Sequence, residues 1–279
     1  MTTALSLLAL LWAAGAALGA DTATPTFPAT FEVDLIFPRN ETYAPTPFFP
    51  IVFAVQNAAL ARSIETDFDL ELYDTTAGHN FSGESPFLKP ERFNFTTEPT
   101  YIYTWVASLG TTHGLAETTH QLSWSFSSVN CSNSSEYFHL GGALQPANPV
   151  FFTIRNGTQQ TDFVAALANN ESCADRSHAA FNVTGTLPAA PLLQNGYNSC
   201  AVLSNVQPFV SGNPCAVKLS TETASSIMAA MTAEVCKDNN NNVTFLSCPS
   251  TGAAPSGRGK ARYTVMLGAL GFIAALWLL

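Results

Sequence analysis

The sequence predicts a mainly β protein, an antiparallel β-sandwich of immunoglobulin-like architecture followed by a cysteine-rich segment that contains one amphipathic helix. Three observations support this prediction. Apolar and polar residues alternate between residues 31 and 157, stretches rich in Pro, Gly and Asn separate the alternating runs, and all six cysteines lie in the second half of the chain. Strands that each have one apolar face are most simply buried when two sheets pack together.

Six runs show the period of two that is expected of a half-buried strand. They are FEVDLIF (31–37), PIVFAVQ (50–56), FDLELYD (68–74), TYIYTWVASL (100–109), QLSWSFSSV (121–129) and VFFTIRN (150–156). A seventh run, AFNVTGT (180–186), directs Phe181 and Val183 inward and Asn182 outward. Because no cysteine precedes Cys131, we expect no disulfide between the two sheets.

Residues 220–236, STETASSIMAAMTAEVC, predict an amphipathic helix. Ser220 or Thr221 is the expected N-cap, and Glu222 lies in the first turn. The apolar stripe at helical spacing consists of Ala224, Ile227, Met228, Met231 and Val235. Two methionines at this spacing indicate core packing rather than soft metal ligands.

The first 20 residues are predicted to be a secretion signal. Residues 4–18, ALSLLALLWAAGAAL, are uncharged and apolar, and small residues follow, so cleavage is expected before Ala20 or Asp21. The alternative is an uncleaved anchor, but the apolar stretch is short for a membrane span.

The C-terminal end predicts a GPI anchor. Residues 265–279 are apolar but too short to span a bilayer comfortably. A basic cluster precedes them, on the wrong side for a stop-transfer helix. Both facts fit attachment of the lipid at Ser250 or Gly252, a stalk and spacer over residues 249–264, and removal of the hydrophobic tail.

The mature chain is predicted to have two parts, a sandwich over residues 21–190 and a cysteine-rich segment over residues 191–248 that packs on it. An even number of cysteines in a secreted chain indicates three disulfides, with fifteen possible connectivities. A helix between Cys215 and Cys236 disfavours a bond between those two. The six are Cys131, Cys173, Cys200, Cys215, Cys236 and Cys248.

Nine Asn-X-Ser/Thr sequons mark predicted N-glycosylation sites. Non-occupancy is expected most at the two that flank Cys131. The nine are Asn40, Asn80, Asn94, Asn130, Asn133, Asn156, Asn170, Asn182 and Asn242.

The charge balance excludes nucleic-acid binding. Charged residues make up 11% of the chain. Removing the tail with Arg258, Lys260 and Arg262 leaves eight basic and twenty acidic side chains, a net charge of −12. Such a surface repels nucleic acid and anionic lipid.

No catalytic, cofactor-binding or metal-binding residue is predicted. The chain has neither a phosphate-binding glycine loop nor a G-x-S-x-G elbow. Its histidines lack metal-ligand spacing and are expected on the surface or in loops. They are His79, His113, His120, His139 and His178.

Two groups of carboxylates lie at a spacing that glycosidases use. Glu32 with Asp34, and Asp67 with Asp69 and Glu71, each share one face of a strand. Alternation explains both groups as solvated sheet faces, so we do not assign them catalysis.

Aromatic rows offer a possible sugar-binding surface. Tyr101, Tyr103 and Trp105 share one strand face, and Trp124 and Phe126 share another. The alternative is that one or both rows belong to the core. Trp105 and Trp124 are the candidate sugar-binding residues.

The chain resembles a family of fungal secreted proteins known only as a domain of unknown function. The resemblance is carried by FEVDLIFPRNETYAPTPFFPIVFAVQN (31–57), CAVLSNVQPFVSGNPC (200–215) and KLSTETASSIMAAMTAEVC (218–236), and most distinctively by Tyr43-x-Pro45 to Gln56-Asn57. It covers residues 25–248 and implies an extracellular, frequently anchored protein with no established catalytic residues.

Taken together, these features predict a non-enzymatic glycoprotein of the cell surface or cell wall, held in the membrane by a GPI lipid. One alternative is a carbohydrate-binding module for wall polysaccharide. A second alternative is a hydrolase whose site the sequence does not reveal.

Overall fold

The computed structural model describes residues 26–64, 66–81, 98–111, 114–131, 138–139, 145–188, 199–204 and 210–237. The predicted secretion signal, the attachment residues Ser250 and Gly252 and the hydrophobic tail lie outside these residues. None of the helices in the described part of the chain has the length and hydropathy of a membrane span.

The described residues form strands, two α-helices and three short 3-10 helices. The 3-10 helices are Ala58–Arg62, Cys173–Asp175 and Pro214–Ala216. The α-helices are α1 (Phe163–Ala168) and α2 (Thr221–Lys237). The strands are β1 (Ala29–Phe37), β2 (Thr42–Tyr43), β3 (Thr46–Gln56), β4 (Thr66–Asp74), β5 (His79–Phe81), β6 (Thr100–Leu109), β7 (Glu117–Asn130), β8 (Phe138–His139), β9 (Gln145–Pro146), β10 (Val150–Arg155), β11 (His178–Pro188) and β12 (Ser199–Leu203).

The strands form two sheets, which confirms the predicted sandwich-like fold. The five-stranded sheet has the order β12-β11-β1-β3-β6, and all of its pairs are antiparallel. The seven-stranded sheet has the order β2-β10-β7-β4-β5, with β8 and β9 also paired to β7. All seven strands predicted from the alternating runs are present.

Aromatic rings fill the space between the sheets. Phe53 of the five-stranded sheet contacts Phe68 and Trp124 of the other sheet, with ring centroids 5.0 and 5.1 Å apart. Phe31 contacts Phe126 across the same interface. Edge-to-face contacts of this kind add to the stabilisation from burial.

The outer face of the five-stranded sheet is also covered, so β1 and β3 are buried on both faces. Phe163 of α1 contacts Phe37 and Phe48. Helix α2 packs against α1 and over β6. Within the described residues, the sandwich therefore carries a third layer on this side.

Helix α2 confirms the predicted helix and its apolar stripe. Ala224, Ile227, Met231 and Val235 are buried, and Met228 packs against the same core. The Ser220 hydroxyl accepts a hydrogen bond from Thr223 N at 3.2 Å, so Ser220 is the N-cap.

One disulfide connects the two sheets, contrary to the expectation from sequence. Cys131 directly follows β7 of one sheet, and its partner Cys200 lies in β12 of the other. The expectation was wrong because the five-stranded sheet extends into the cysteine-rich segment, where β12 supplies the second cysteine.

A second disulfide joins Cys173 to Cys215. This pairing excludes the bond between Cys215 and Cys236 that was disfavoured from sequence. Cys236 is disulfide-bonded too, and Cys248 lies outside the described residues. The prediction of disulfide bonds is confirmed, and no cysteine within the described part of the chain is free.

Candidate functional site

The register of the five-stranded sheet gathers four polar side chains on its outer face. Glu32 lies opposite Gln56 of β3, and Asp34 lies opposite His178 of β11. Residues directly opposite each other in an antiparallel pair point to the same face of the sheet. Three adjacent strands therefore position these side chains together.

Glu32 and Asp34 are buried, with exposed fractions of 3% and 0%. Residues 210–219, which we call the covering segment, lie over them. Asn213 N donates a hydrogen bond to Glu32 Oε2 at 2.8 Å. Gln56 Nε2 donates to Asp34 Oδ2 at 2.8 Å and to the Asn213 carbonyl oxygen at 3.0 Å. The amide of Gln56 thus joins the sheet to the covering segment.

The prediction that Glu32 and Asp34 belong to a solvated sheet face is wrong. The same prediction for Asp69 and Glu71 of β4 is confirmed, since both are exposed. The side chain of Asp67 is not among those described. Alternation shows which residues share a face, but it does not show whether a distant segment covers that face.

Gly212 allows the covering segment to approach the sheet closely. A Cβ atom at this position would overlap Oε1 of Glu32 and Cδ2 of His178. A residue with a side chain therefore cannot lie here unless both of these groups move.

Arg176 also binds the covering segment, through hydrogen bonds to its backbone. Its Nη1 donates to the carbonyl oxygens of Pro214 and Val217 at 2.9 and 3.0 Å, and its Nη2 donates to Asn170 Oδ1 at 2.9 Å. The disulfide from Cys173 to Cys215 joins the same two parts of the chain. A buried charge with several acceptors is a structural anchor.

Burial, and after it the neighbouring charge of Glu32, raise the pKa of the Asp34 carboxyl to about 8. The Gln56 amide and the Arg176 guanidinium oppose this change. Burial also raises the pKa of Tyr101 and lowers that of Arg176. Asp34 is therefore protonated near neutral pH and can donate a hydrogen bond.

A second buried polar group lies between the sheets. His120 of β7 is opposite Asp74 of β4, and its Nε2 lies 3.2 Å from Thr118 Oγ1. The His120 ring stacks on Phe152, with centroids 5.3 Å apart. Burial lowers the pKa of His120, while the charge of Asp74 acts in the opposite direction. His120, Asp74 and Thr118 are all buried.

The structure corrects the expectation that His120 is a surface or loop histidine. His178 is half-buried in β11, and its Nδ1 donates to the Arg176 carbonyl oxygen at 3.1 Å. His79 and His139 lie in strands, and His113 lies outside the described residues. Among the residues that the structure describes, no group of three or more His, Cys, Asp or Glu side chains could hold a metal ion.

Neither candidate sugar-binding tryptophan is fully exposed. Trp124 is only 3% exposed, and its Nε1 donates to Ser177 Oγ at 3.0 Å within the core. Its assignment as a sugar-binding residue is therefore wrong. Trp105 shares the outer face of β6 with Tyr101 and Tyr103, and all three are partly buried against the core.

Two other aromatic residues are exposed on the outer face of the seven-stranded sheet. Tyr73 of β4 and Phe151 of β10 have exposed fractions of 37% and 43%. Both lie opposite Gln121 of β7, so the three side chains form one row across three strands. The sequence could have predicted that both rings are exposed, because alternation within FDLELYD and VFFTIR places each ring on the polar face of its strand.

The described sequons differ in the contacts of their asparagines. Asn130 is buried and accepts a hydrogen bond from Leu203 N, and the Asn170 side chain contacts Arg176 and Leu219. Asn40 and Asn156 are exposed, and Asn182 is half-buried. The Asn80 side chain is not described, and the other sequons, at Asn94, Asn133 and Asn242, lie outside the described residues.

The model of one protein family matches residues 26–245, and its description is "Domain of unknown function (DUF7136)". The chain belongs to the DUF7136 family. The matched region of this DUF7136 protein includes both sheets, both helices and the carboxyl pair beneath the covering segment. No curated protein and no solved structure matches the chain.

Proposed function

We propose that this DUF7136 protein is a non-enzymatic extracellular glycoprotein of the fungal cell surface or cell wall, held in the membrane by a GPI lipid. The observation that carries the proposal is the pair of disulfides, Cys131–Cys200 and Cys173–Cys215. Such bonds persist in oxidising compartments and are rare in the cytosol. The N-terminal signal, the sequons and the C-terminal anchor signal support the same location.

The contacts of the buried ionisable groups support a structural role. Arg176 donates to two backbone carbonyls and to Asn170, and Glu32 accepts from the backbone of Asn213. These bonds join the covering segment to the sheet. The protein then acts through its folded surface and its glycans, with the membrane lipid as one partner and wall polysaccharide as another.

Lipase treatment tests the anchor. Phosphatidylinositol-specific phospholipase C is expected to transfer the protein from the detergent phase to the aqueous phase, because only the lipid holds it in the membrane. Replacing both Ser250 and Gly252 by bulky residues should prevent attachment, while the same change at Ser256 and Gly257 is the matched control. A membrane-bound protein that resists the lipase contradicts the proposal.

Carbohydrate binding is the second candidate function, and the exposed row on the seven-stranded sheet favours it. Tyr73 and Phe151 lie two strand spacings apart, roughly 9.5 Å, which is comparable to the length of a disaccharide. Their exposed rings can stack on sugar faces, while the Gln121 amide between them can hydrogen-bond hydroxyl groups. A neutral polysaccharide chain fits this surface better than an acidic one, because the protein is acidic.

Pull-down on insoluble glucan and chitin tests this second function. Tyr73→Ala and Phe151→Ala are each expected to lower retention severalfold, since each removes one of the two stacking surfaces. Leu115→Ala is the control, because Leu115 is a similarly exposed apolar residue, at 40%, outside the row. Retention that is absent in the unmodified protein, or equal in all variants, contradicts binding by this surface.

A further inference from the structure

We propose that Glu32 and Asp34 share one proton beneath the covering segment, and that this proton fastens the segment to the five-stranded sheet. The inference goes beyond the proposed surface role, because it assigns a pH-dependent conformational device to the carboxyl pair.

The hydrogen-bond pattern of the two carboxyl groups is the first argument. Each group has one oxygen with a donor: Glu32 Oε2 accepts from Asn213 N, and Asp34 Oδ2 accepts from Gln56 Nε2. The remaining oxygens, Glu32 Oε1 and Asp34 Oδ1, are buried and accept no hydrogen bond from any described residue. The Glu32 carboxyl is a side-chain hydrogen-bond partner of Asp34 and is among the groups that raise the pKa of Asp34. One proton therefore converts two unsatisfied acceptors into one donor and one acceptor.

The fit of the covering segment is the second argument. Gly212 packs against Oε1 of Glu32, one of the oxygens without a described donor. Asn213 is bonded through its N–H to Glu32 and through its carbonyl to Gln56, which in turn is bonded to Asp34. Loss of the proton leaves two adjacent buried anions at the point where the segment is attached.

The charged groups around Asp34 do not cancel the repulsion between the two buried carboxylates that follows loss of the proton. Arg176 precedes β11, His178 comes from β11, and Tyr101 comes from β6, while β3 contributes only the uncharged Gln56. Nη1 of Arg176 donates to the carbonyl oxygens of Pro214 and Val217, and Nη2 donates to Asn170 Oδ1, so these donors are directed at groups other than Asp34.

More distant charged groups act on neighbours of Asp34. Arg39 acts on Arg176, and Glu234 of α2 acts on Tyr103. In the covering segment, Lys218 is exposed. Among the charged groups, Glu32 therefore has the largest effect on the pKa of Asp34.

The expected response is a local opening. Cys173–Cys215 and the Arg176 bonds keep the covering segment tethered even when the proton is lost. Because the folded state holds a proton that the unfolded state has lost, the folding constant decreases as pH rises from about 4 to about 8, by up to about tenfold per pH unit.

Two isosteric variants of the secreted, disulfide-intact chain test the proposal. Asp34→Asn gives a permanent N–H donor to Glu32, and Glu32→Gln gives one to Asp34, so each replaces the shared proton. Hydrogen exchange of residues 210–219 and the denaturant midpoint are measured from pH 5 to pH 8, with exchange corrected for its intrinsic pH dependence. Asp69→Asn is the control, because Asp69 is exposed on the other sheet.

In the unmodified chain and in Asp69→Asn, exchange in the covering segment should increase and the midpoint should decrease with pH. Both trends should be much smaller in Asp34→Asn, which removes the titrating carboxyl, and smaller than in the unmodified chain in Glu32→Gln, where burial still raises the pKa of Asp34 but the charge of Glu32 no longer does. The proposal is overturned if the unmodified chain shows no such trend, or if the folded isosteric variant keeps the full trend.

Discussion

At the scale of single residues, Gly212 offers the sharpest test of how the covering segment fits. We expect Gly212→Ala to lower the free energy of unfolding by about 1 to 3 kcal/mol, as overpacking of a tight interior does. The new Cβ atom meets Glu32 and His178, and Glu32 cannot move freely because it is buried and bonded to Asn213. Chemical denaturation provides the measurement.

Gly185→Ala is the matched control for this substitution. Gly185 lies in β11 of the same sheet, and no atom lies within 4 Å of a Cβ placed there. Equal denaturation midpoints for Gly212→Ala and Gly185→Ala would show that the covering segment is loosely packed.

The carboxylates show what sequence can and cannot establish about a residue. Glu32 and Asp34 have the same alternating pattern as Asp69 and Glu71, and the pattern assigned the correct face to all four. Only the first two are buried, because residues 210–219 cover their sheet face. The contact between the covering segment and Glu32 joins positions about 180 residues apart in the sequence, so a local sequence pattern cannot predict it.

At the scale of elements, segments with a clear period were predictable, and short segments without one were not. Strand β6 occupies the predicted residues, Thr100–Leu109, and helix α2 is within one residue of its prediction at each end. Helix α1 has six residues and β12 has five. Elements this short contain too few periods for a pattern to be recognised, and packing against neighbours stabilises them.

The disulfide between β7 and β12 yields a prediction at this scale. Replacing both Cys131 and Cys200 by Ala should cost about 2 to 4 kcal/mol of unfolding free energy, because the bond closes a long loop in the unfolded chain. The fold should persist, since Cys131 N still donates to the Ala201 carbonyl oxygen at 2.9 Å. Circular dichroism and denaturation check both statements. An unchanged midpoint would contradict the expected contribution.

At the scale of the whole molecule, Asp34 predicts that stability is greatest in acid. Its pKa is about 8 in the folded state and 3.8 ordinarily. Its contribution is therefore fully present below about pH 4 and is lost as pH rises toward 8, at up to about 1.4 kcal/mol per pH unit. Thermal unfolding from pH 4.5 to 8 measures this trend.

General repulsion among the acidic side chains also increases with pH, but salt distinguishes the two effects. Surface repulsion is strongly screened at about 1 M salt, whereas a buried pair is screened much less. We expect most of the pH dependence to remain at high salt. A pH dependence that disappears there would assign the effect to the surface.

The two disulfides have overlapping spans, and this has a consequence for a nicked chain. One runs from 131 to 200 and the other from 173 to 215, so every peptide bond between Cys131 and Cys215 is enclosed by at least one of them. A protease that cuts once anywhere in this interval leaves both fragments covalently joined. If the proposed C-terminal lipid holds the protein on a surface, a single cut would release this interval only on the C-terminal side of Cys215, unless a reductant is also present.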